Sequence, residues 1–245
     1  MTAPALHLAG GLNGPTGPLI ADFDLTLPAG RWSVLLGPSG VGKTSLLRRI
    51  AGLPSAARLA GQMTASDGAP LPPRVAMMAQ DDHLLPWADA LANVVIGTRL
   101  RGARPDLARA RALLEQVGLG AQAARRPPSL SAGQRQRVAL ARTLFEDRPV
   151  VLLDEPFSAL DVLTRHRMQD LAARLLAGRT VVLITHDPAE AARLAHHAWI
   201  ATPDGIAPCA LPPDPPPRRA EAPGTLAAQA ALSRDLKQRV TGGAI

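Results

Sequence analysis

Tyrosine is absent from this 245-residue sequence, and three Phe and three Trp make up its whole aromatic content of 2%. Any site that stacks a ring on Tyr must be built another way here. Cysteine is almost absent as well, and the lone Cys209 excludes an internal disulfide. The first residues carry neither a basic start leading into an apolar run nor a small-residue cleavage site, so a cytoplasmic location is expected. Nowhere do about 18 apolar residues run together. The apolar runs at 150–153 and 181–184 have the length of buried strands, so any membrane role is expected to be peripheral. What is present is 47% hydrophobic, enough for a sizeable core, which excludes disorder as the main state.

Lysine is scarce in a chain that is otherwise basic. The formal charge is +7 and the pI about 11.2, a balance that suits a nucleic-acid or lipid-surface partner but says nothing about fold. Of the 27 basic residues all but Lys43 and Lys237 are arginine. Residues 99–142 hold ten arginines against Asp106 and Glu115, so this stretch accounts for the whole excess. A chain that writes arginine almost everywhere directs attention to Lys43.

Residues 19–27 alternate, with Phe23, Leu25 and Leu27 on one face and Asp22, Asp24 and Thr26 on the other, which predicts a strand. Pro28-Ala29-Gly30 reads as a turn, followed by an apolar strand at 33–36, a glycine-rich loop and a helix from Lys43 that stops at Gly52. The continuous β-branched runs at 150–153 and 181–184 suit strands covered on both faces of a parallel sheet. Between them 161–177 reads as a helix, with Leu163, Arg167, Leu171 and Leu175 at helical spacing, closed by Gly178. From about 81 to 145 helices follow one another without a strand, one at 106–117 ended by Gly118 and one opening at Ser131. That stretch reads as a helical insertion in an α/β core. Thr202-Pro203-Asp204-Gly205 reads as a turn between two short strands. The proline-rich run 208–223 reads as a linker or extended tail, and the last twenty residues as a short helix.

Gly37-Pro38-Ser39-Gly40-Val41-Gly42-Lys43-Thr44 fits G-x-x-x-x-G-K-[ST] after an apolar strand and at a helix start. Glycines let backbone N–H groups turn inward around phosphates, and the helix N-terminus adds partial positive charge. Lys43 reaches β and γ phosphates as a compact point charge, and Thr44 offers a hydroxyl to Mg²⁺. The plain alternative is a glycine-rich strand-to-helix turn. The strand at 150–153 runs into Asp154 and Glu155 at its carboxyl end, where open α/β sheets bind ligands. Asp154 suits a magnesium ion and Glu155 an attacking water; the plain alternative is a pair of acids capping the next helix. Leu130-Ser131-Ala132-Gly133-Gln134 contains a capping box through Ser131 and Gln134. With the close-approach Gly133 it is also an anion site, and both descriptions hold at once.

Taken in order, the phosphate loop, Gln80, LSAGQ, VVLLDEP, Ser158-Ala159-Leu160-Asp161 and Thr185-His186-Asp187 resemble the ATP-binding cassette subunit of an ABC transporter, over roughly residues 5–205. The resemblance implies a P-loop NTPase (RecA-like) α/β fold: a parallel-sheet core, an antiparallel β subdomain and an inserted α-helical subdomain. It implies a nucleotide-binding core at 1–80 and 146–205, a helical subdomain with the signature at 81–145, and a linker and tail at 206–245. It also implies ATP and Mg²⁺ as ligands. Residues 37–44 with Ser45 would bind nucleotide, joined by Gln80, Ser131, Gly133, Gln134 and Asp161, and Thr44, Gln80 and Asp154 would face the metal. In this family Glu155 and His186 are catalytic, Gln80 senses the γ-phosphate and the membrane subunit, and Asp161 couples the two sites of a dimer. The signature binds nucleotide held by the opposite subunit, so a homodimer or a pair with a paralogous cassette is implied. Permease subunits and an extracytoplasmic substrate-binding protein are implied as partners, at the cytoplasmic face of the membrane.

The runs Gln80–Trp87 and Ala159–Leu171 are similar to cassettes of nitrate, sulfonate and taurine importers, a group that includes thiamine-precursor importers. Leu84, Leu85 and Trp87 are candidates for a groove that accepts a permease helix, or for helical-domain core. Two departures stand out: Ala132 where the family most often has Gly, and no aromatic at 6–18, which leaves an aliphatic such as Leu12 to meet adenine. A soluble ABC ATPase acting on nucleic acid or ribosomes is the contrasting class. The chain has room for neither a second cassette nor a long coiled coil, and no basic stretch interleaved with aromatics suggests specific nucleic-acid binding.

Overall fold

The computed structural model describes residues 3–242. The chain divides into two compact units, one made of residues up to Val75, Pro149–Asp154 and the chain from Ala177 onward, the other of Ala76–Arg148 and Glu155–Leu176. In chain order the first elements are β1 (Leu6–Gly14), β2 (Gly17–Leu27), β3 (Trp32–Leu36), α1 (Lys43–Ile50), β4 (Arg58–Ala65) and β5 (Val75–Met78). The helices α2 (Ala90–Val94), α3 (Ile96–Leu100), α4 (Leu107–Gln116) and α5 (Ala132–Phe145) follow without an intervening strand. The remainder is β6 (Val150–Asp154), α6 (Val162–Leu175), β7 (Thr180–Ile184), α7 (Pro188–Leu194), β8 (His197–Thr202), β9 (Gly205–Cys209) and α8 (Pro223–Gly242).

In the first unit β2, β1 and β4 form an antiparallel sheet in that order. Phe23, Leu25 and Leu27 of β2 are buried, as the alternation predicts. Ile20 is buried on the same side although the spacing points it outward, because the register slips between the Gly10 and Leu12 pairings, a bulge that inserts one residue into β2. A second sheet carries β6, β7, β3, β8 and β9 in that order, parallel except for the antiparallel pair β8–β9. Every residue of β3, β6 and β7 is buried, the pattern of strands covered on both faces.

A second short strand follows the 202–205 turn and a helix ends the chain, as expected, but the proline-rich run between them differs from a linker or extended tail. Residues 205–209 form edge strand β9, where Pro208 is tolerated because an edge needs fewer N–H donors. Arg218 is buried and donates from its guanidinium to the carbonyls of Ala192, Ala195 and Pro212. Beyond it α8 packs on α7 and buries Thr225, Ala228 and Leu232. Proline excludes helix and central strand but not a fixed path, and here side-chain bonds replace a backbone ladder.

In the second unit α2, α4 and α5 pack together around Val94, Leu114, Val138 and Ala141. Asp106 caps α4 by accepting the Arg109 N–H, and Gly118 ends it at φ 71°. Helix α6 forms where expected, but its inward residues are Met168, Gln169, Leu171 and Ala172, while Val162 and Leu163 are 64% and 71% exposed. The Leu163–Arg167–Leu171–Leu175 stripe is therefore not the buried face. One helical face can be drawn through either set, and only the neighbours decide which is covered.

His196 holds the start of β3 in place. Its Nδ1 accepts the Trp32 N–H at 3.1 Å, and its own N–H donates to the Trp32 carbonyl at 2.9 Å. Burial, reinforced by the charges of Arg31, His197 and Arg218, lowers its pKa to about 4. The unfolded chain titrates near pH 6.5 and binds more protons between that value and about 4, so this contribution is complete above 6.5 and lost as pH falls toward 4. Asn at 196 keeps an acceptor without titrating. Urea midpoints at the two ends of that window are expected to differ less in His196→Asn than in the parent; an equal fall in both would refute the assignment.

Candidate active site

Residues 37–42 join β3 to α1 in the first unit. Gly37 has φ 154°, and a Cβ there would lie 2.5 Å from the Ala201 carbonyl oxygen, so only glycine fits. Gly42 precedes α1 with φ 104°, and a Cβ on it would come within 2.9 Å of Leu12 Cδ2. Helix α1 has no side-chain cap and no acid in its first turn, which leaves its N-terminal dipole to favour an anion. Lys43 is 6% exposed, and its Nζ donates to the carbonyls of Gly37 and Pro38 at 2.8 Å each. Val41 is buried, Pro38 and Ser45 are half-buried, and Ser39, Gly40 and Thr44 face solvent. A glycine-built turn with one buried ammonium at a helix N-terminus suits a polyphosphate.

The carboxyl ends of β3, β6 and β7 meet at one edge because these strands are parallel neighbours. Leu35 and Asp154 are both level with Ile184. The phosphate loop, Asp154 and His186, two residues beyond Ile184, therefore share that edge. Asp154 is 1% exposed. His186 is exposed between Thr185, whose Oγ1 accepts the Asp187 N–H at 3.0 Å, and Asp187, which caps α7 by accepting the Ala189 N–H at 2.8 Å. Among the described residues no group of three or more His, Cys, Asp or Glu is placed to hold a metal ion. Magnesium needs no such cage: it keeps waters and phosphate oxygens, and the hard oxygens of Thr44 and Asp154 fit that habit.

Leu12 does not offer the aliphatic surface expected of it. It is fully buried, packed against Gly42, as the inward parity of β1 requires. Leu19, half-buried beside Gly14 and Gly42, is the apolar side chain next to the loop that keeps some surface.

In the second unit Glu155, half-buried, opens with φ 47°, a left-handed conformation rare outside glycine. Its carbonyl accepts from Ser158 Oγ at 3.1 Å and from Gln136 Nε2 at 3.1 Å, while Gln136 Oε1 takes the Ala159 N–H at 3.0 Å. Gln136, 7% exposed, thus pins the turn that carries Glu155, a role the sequence hid behind an ordinary helical amide. Gly133 serves the same packing: a Cβ there would lie 3.1 Å from the Ala159 carbonyl oxygen. The capping box is complete, with Ser131 Oγ accepting the Gln134 N–H at 3.2 Å and Gln134 Oε1 accepting the Ser131 N–H at 2.9 Å.

Gln80 is exposed in the loop after β5. Arg135 Nε donates to Asp82 at 2.8 Å, and Arg142 donates to the Asp82 and His83 carbonyls at 2.6 and 2.9 Å, so helix α5 grips that loop. Asn93, fully buried, receives the Leu85 N–H and donates to the carbonyls of Leu85, Ala88 and Asp89. A buried amide in an apolar helix is the one sequence signal that could have singled it out. Leu84 is core at 8% exposure, whereas Trp87 stands 68% exposed on the loop that Asn93 braces. Asp161 caps α6; its bond to the Thr164 N–H holds its carboxyl below the usual range.

The sequence model of the ABC transporter family matches residues 20–158. The chain belongs to the ABC transporter family. An aliphatic sulfonates import ATP-binding protein of Delftia acidovorans is 40% identical over 96% of this chain and 95% of its own length. A taurine import ATP-binding protein of Pseudomonas fluorescens is 46% identical over 78% of this chain and 74% of its own. Among solved structures, a dimeric ATP-binding cassette in a post-hydrolysis state bound to ADP and Pi superposes with a TM-score of 0.73 at 26% identity, over 82% of this chain and 96% of that one. The fold is accordingly that of a P-loop NTPase, with a mixed sheet core and a helical subdomain, and the chain is an ATP-binding and ATP-hydrolysing ABC subunit.

Proposed function

We propose that the chain powers a membrane importer of small nutrients of the sulfonate and taurine class. The observation that carries this is the near full-length likeness to the Delftia aliphatic sulfonates import protein, joined by the taurine import protein at 46% identity. On this reading two cassettes meet head to tail at the cytoplasmic face of the membrane, with permease subunits above them and a substrate-binding protein delivering the cargo. Residues 37–45 bind the nucleotide phosphates, and Lys43 neutralises charge at β and γ. Thr44, Asp154 and Gln80 serve Mg²⁺, which when bound offsets charge on the phosphate oxygens. Glu155 accepts a proton from the attacking water, and His186 and Gln80 hold the γ-phosphate end. Ser131, Gly133 and Gln134 approach the nucleotide on the partner cassette, and Asp161 links the two sites. Closure follows ATP because the closed state alone offers those contacts.

With no aromatic at 6–18, base recognition falls to aliphatic surface that grips any purine alike. ATP and GTP are expected to be hydrolysed at similar rates at saturation; a strong ATP preference in paired phosphate-release assays would refute this. Trp87 is the exposed anchor offered to a permease. Co-expression with its cognate permease is expected to yield a detergent-stable complex that Trp87→Ala weakens without lowering ATP binding by the isolated cassette. A cassette that never co-purifies with that permease, yet hydrolyses ATP alone, would overturn the transporter reading.

A further inference from the structure

The phosphate loop takes up the carboxyl end of β3; at the amino end of the same strand the surface of the first unit holds a separate open pocket of about 530 Å³. One strand length, about 17 Å, separates the two. Arg31, His196, His197 and Trp199 line the cavity together with the proline-rich run 211–216 and Arg218. Its volume lies within the range of small-molecule sites, and its chemistry is that of N–H donors.

Arg218 is 6% exposed. Both its Nη atoms serve carbonyls, those of Ala192 and Ala195 and that of Pro212, whereas its buried Nε has no hydrogen-bond partner. A buried donor left unmade is costly, and a guanidinium with carbonyls but no carboxylate among its hydrogen-bond partners keeps its positive charge for an anion beside it. His196 contributes a second donor. Its Nδ1 accepts the Trp32 N–H, so the proton of the neutral ring sits on Nε2. Burial and the surrounding cations keep that ring neutral at physiological pH. Arg31 adds an exposed guanidinium, and Asp214 is the one carboxylate among the lining residues, so cationic charge prevails. His197 stacks on Trp199 with centroids 5.9 Å apart, which gives the cavity a flat apolar wall.

We propose that this cavity binds a small molecule with an oxyanion head, carboxylate, sulfonate or phosphate, its head on Arg218, His196 and Arg31 and any apolar body on Trp199. The site is independent of the phosphate loop and does not rest on the importer reading. Sulfate and ethanesulfonate are suitable probes, the first a head alone and the second a head with a body. Each is titrated into the full chain carrying Lys43→Ala, which weakens the phosphate loop as a competitor, with chloride holding ionic strength constant. A saturable change in tryptophan emission is expected, abolished by Trp199→Phe and weakened about tenfold by Arg31→Ser. Arg218→Met risks the fold because three carbonyls lose their donor, so Arg31→Ser and Trp199→Phe carry the test. Tighter sulfate binding identifies an inorganic oxyanion as the ligand class, and equal or tighter binding of ethanesulfonate, which carries one negative charge against two, identifies an organic one. Absence of saturation with both probes, or affinity unchanged by Arg31→Ser, would overturn the proposal.

Discussion

Replacing Glu155 with Gln is expected to lower steady-state phosphate release by about 10²- to 10⁴-fold, the usual worth of a general base, while ATP still binds. The substitution isolates chemistry from structure for reasons visible in the turn itself. The bonds that fix residue 155 run through its backbone carbonyl to Gln136 and Ser158, and glutamine leaves them in place. The left-handed backbone at φ 47° costs glutamine about what it costs glutamate. What changes is basicity: an amide cannot take a proton from water at neutral pH. Phosphate release at saturating ATP, paired with equilibrium ATP binding, reads the two effects separately. On the head-to-tail reading, ATP also holds Glu155→Gln chains as a dimer that the parent leaves after hydrolysis. Turnover equal to the parent would remove Glu155 from the reaction.

The motif-bearing segments were legible because each couples a local backbone rule to a hydrophobic period. Residues 33–44 are a buried strand, a turn with glycines where backbone crowds, and a helix start; each rule points to the same local structure. The capping box at Ser131 is likewise local, and the Asp caps that the structure adds at 106, 161 and 187 obey the same rule, fixing helix starts wherever the helices later pack. What stayed hidden was set by neighbours far along the chain. Strand β4 leaves little trace because most of its residues are exposed and it is held by pairing with β1. The inward turn of Ile20 needs a bulge, the burial of Leu12 needs Gly42 beside it, and the outward turn of Leu163 depends on what α6 packs against. Composition misled most at the prolines, since the fixed course of residues 210–222 rests on one buried arginine.

The arginine excess has a structural share as well. Arg109 donates to the carbonyls of Leu144 and Phe145 and lies over the Phe145 ring at 5.0 Å, closing the end of α5. Arg137 reaches the Val117 carbonyl at 2.8 Å and closes α4. With Arg135 and Arg142 on the loop after Gln80 and Arg218 on α7, these guanidiniums bridge two or more elements each. A planar fork of five donors can serve several carbonyls at once, which an ammonium on a flexible stem does less well. Part of the basicity of residues 99–142 is therefore spent inside the second unit, while Arg99, Arg104, Arg111, Arg125 and Arg126 stay exposed and Arg101 pairs with Glu146 at the surface.

Lys43 is the position where that preference reverses, and its replacement is the second large effect expected. Lys43→Ala removes a charge-assisted contact to the β and γ phosphates, and ATP affinity is expected to fall about 10- to 100-fold. The same substitution takes away the ammonium that now ties the Gly37 and Pro38 carbonyls together, so the loop loses its internal brace as well as its ligand contact. Lys43→Arg separates charge from shape. Position 43 is 6% exposed, and Gly37 already lies so close to Ala201 that a Cβ has no room, leaving little space for a wider planar head. Arginine is therefore expected to restore the charge without restoring affinity. Fluorescent ATP-analogue binding, with circular dichroism to confirm that each variant is folded, checks both. Full affinity in Lys43→Arg would mean that charge alone is required, and full affinity in Lys43→Ala would mean that the nucleotide is held elsewhere.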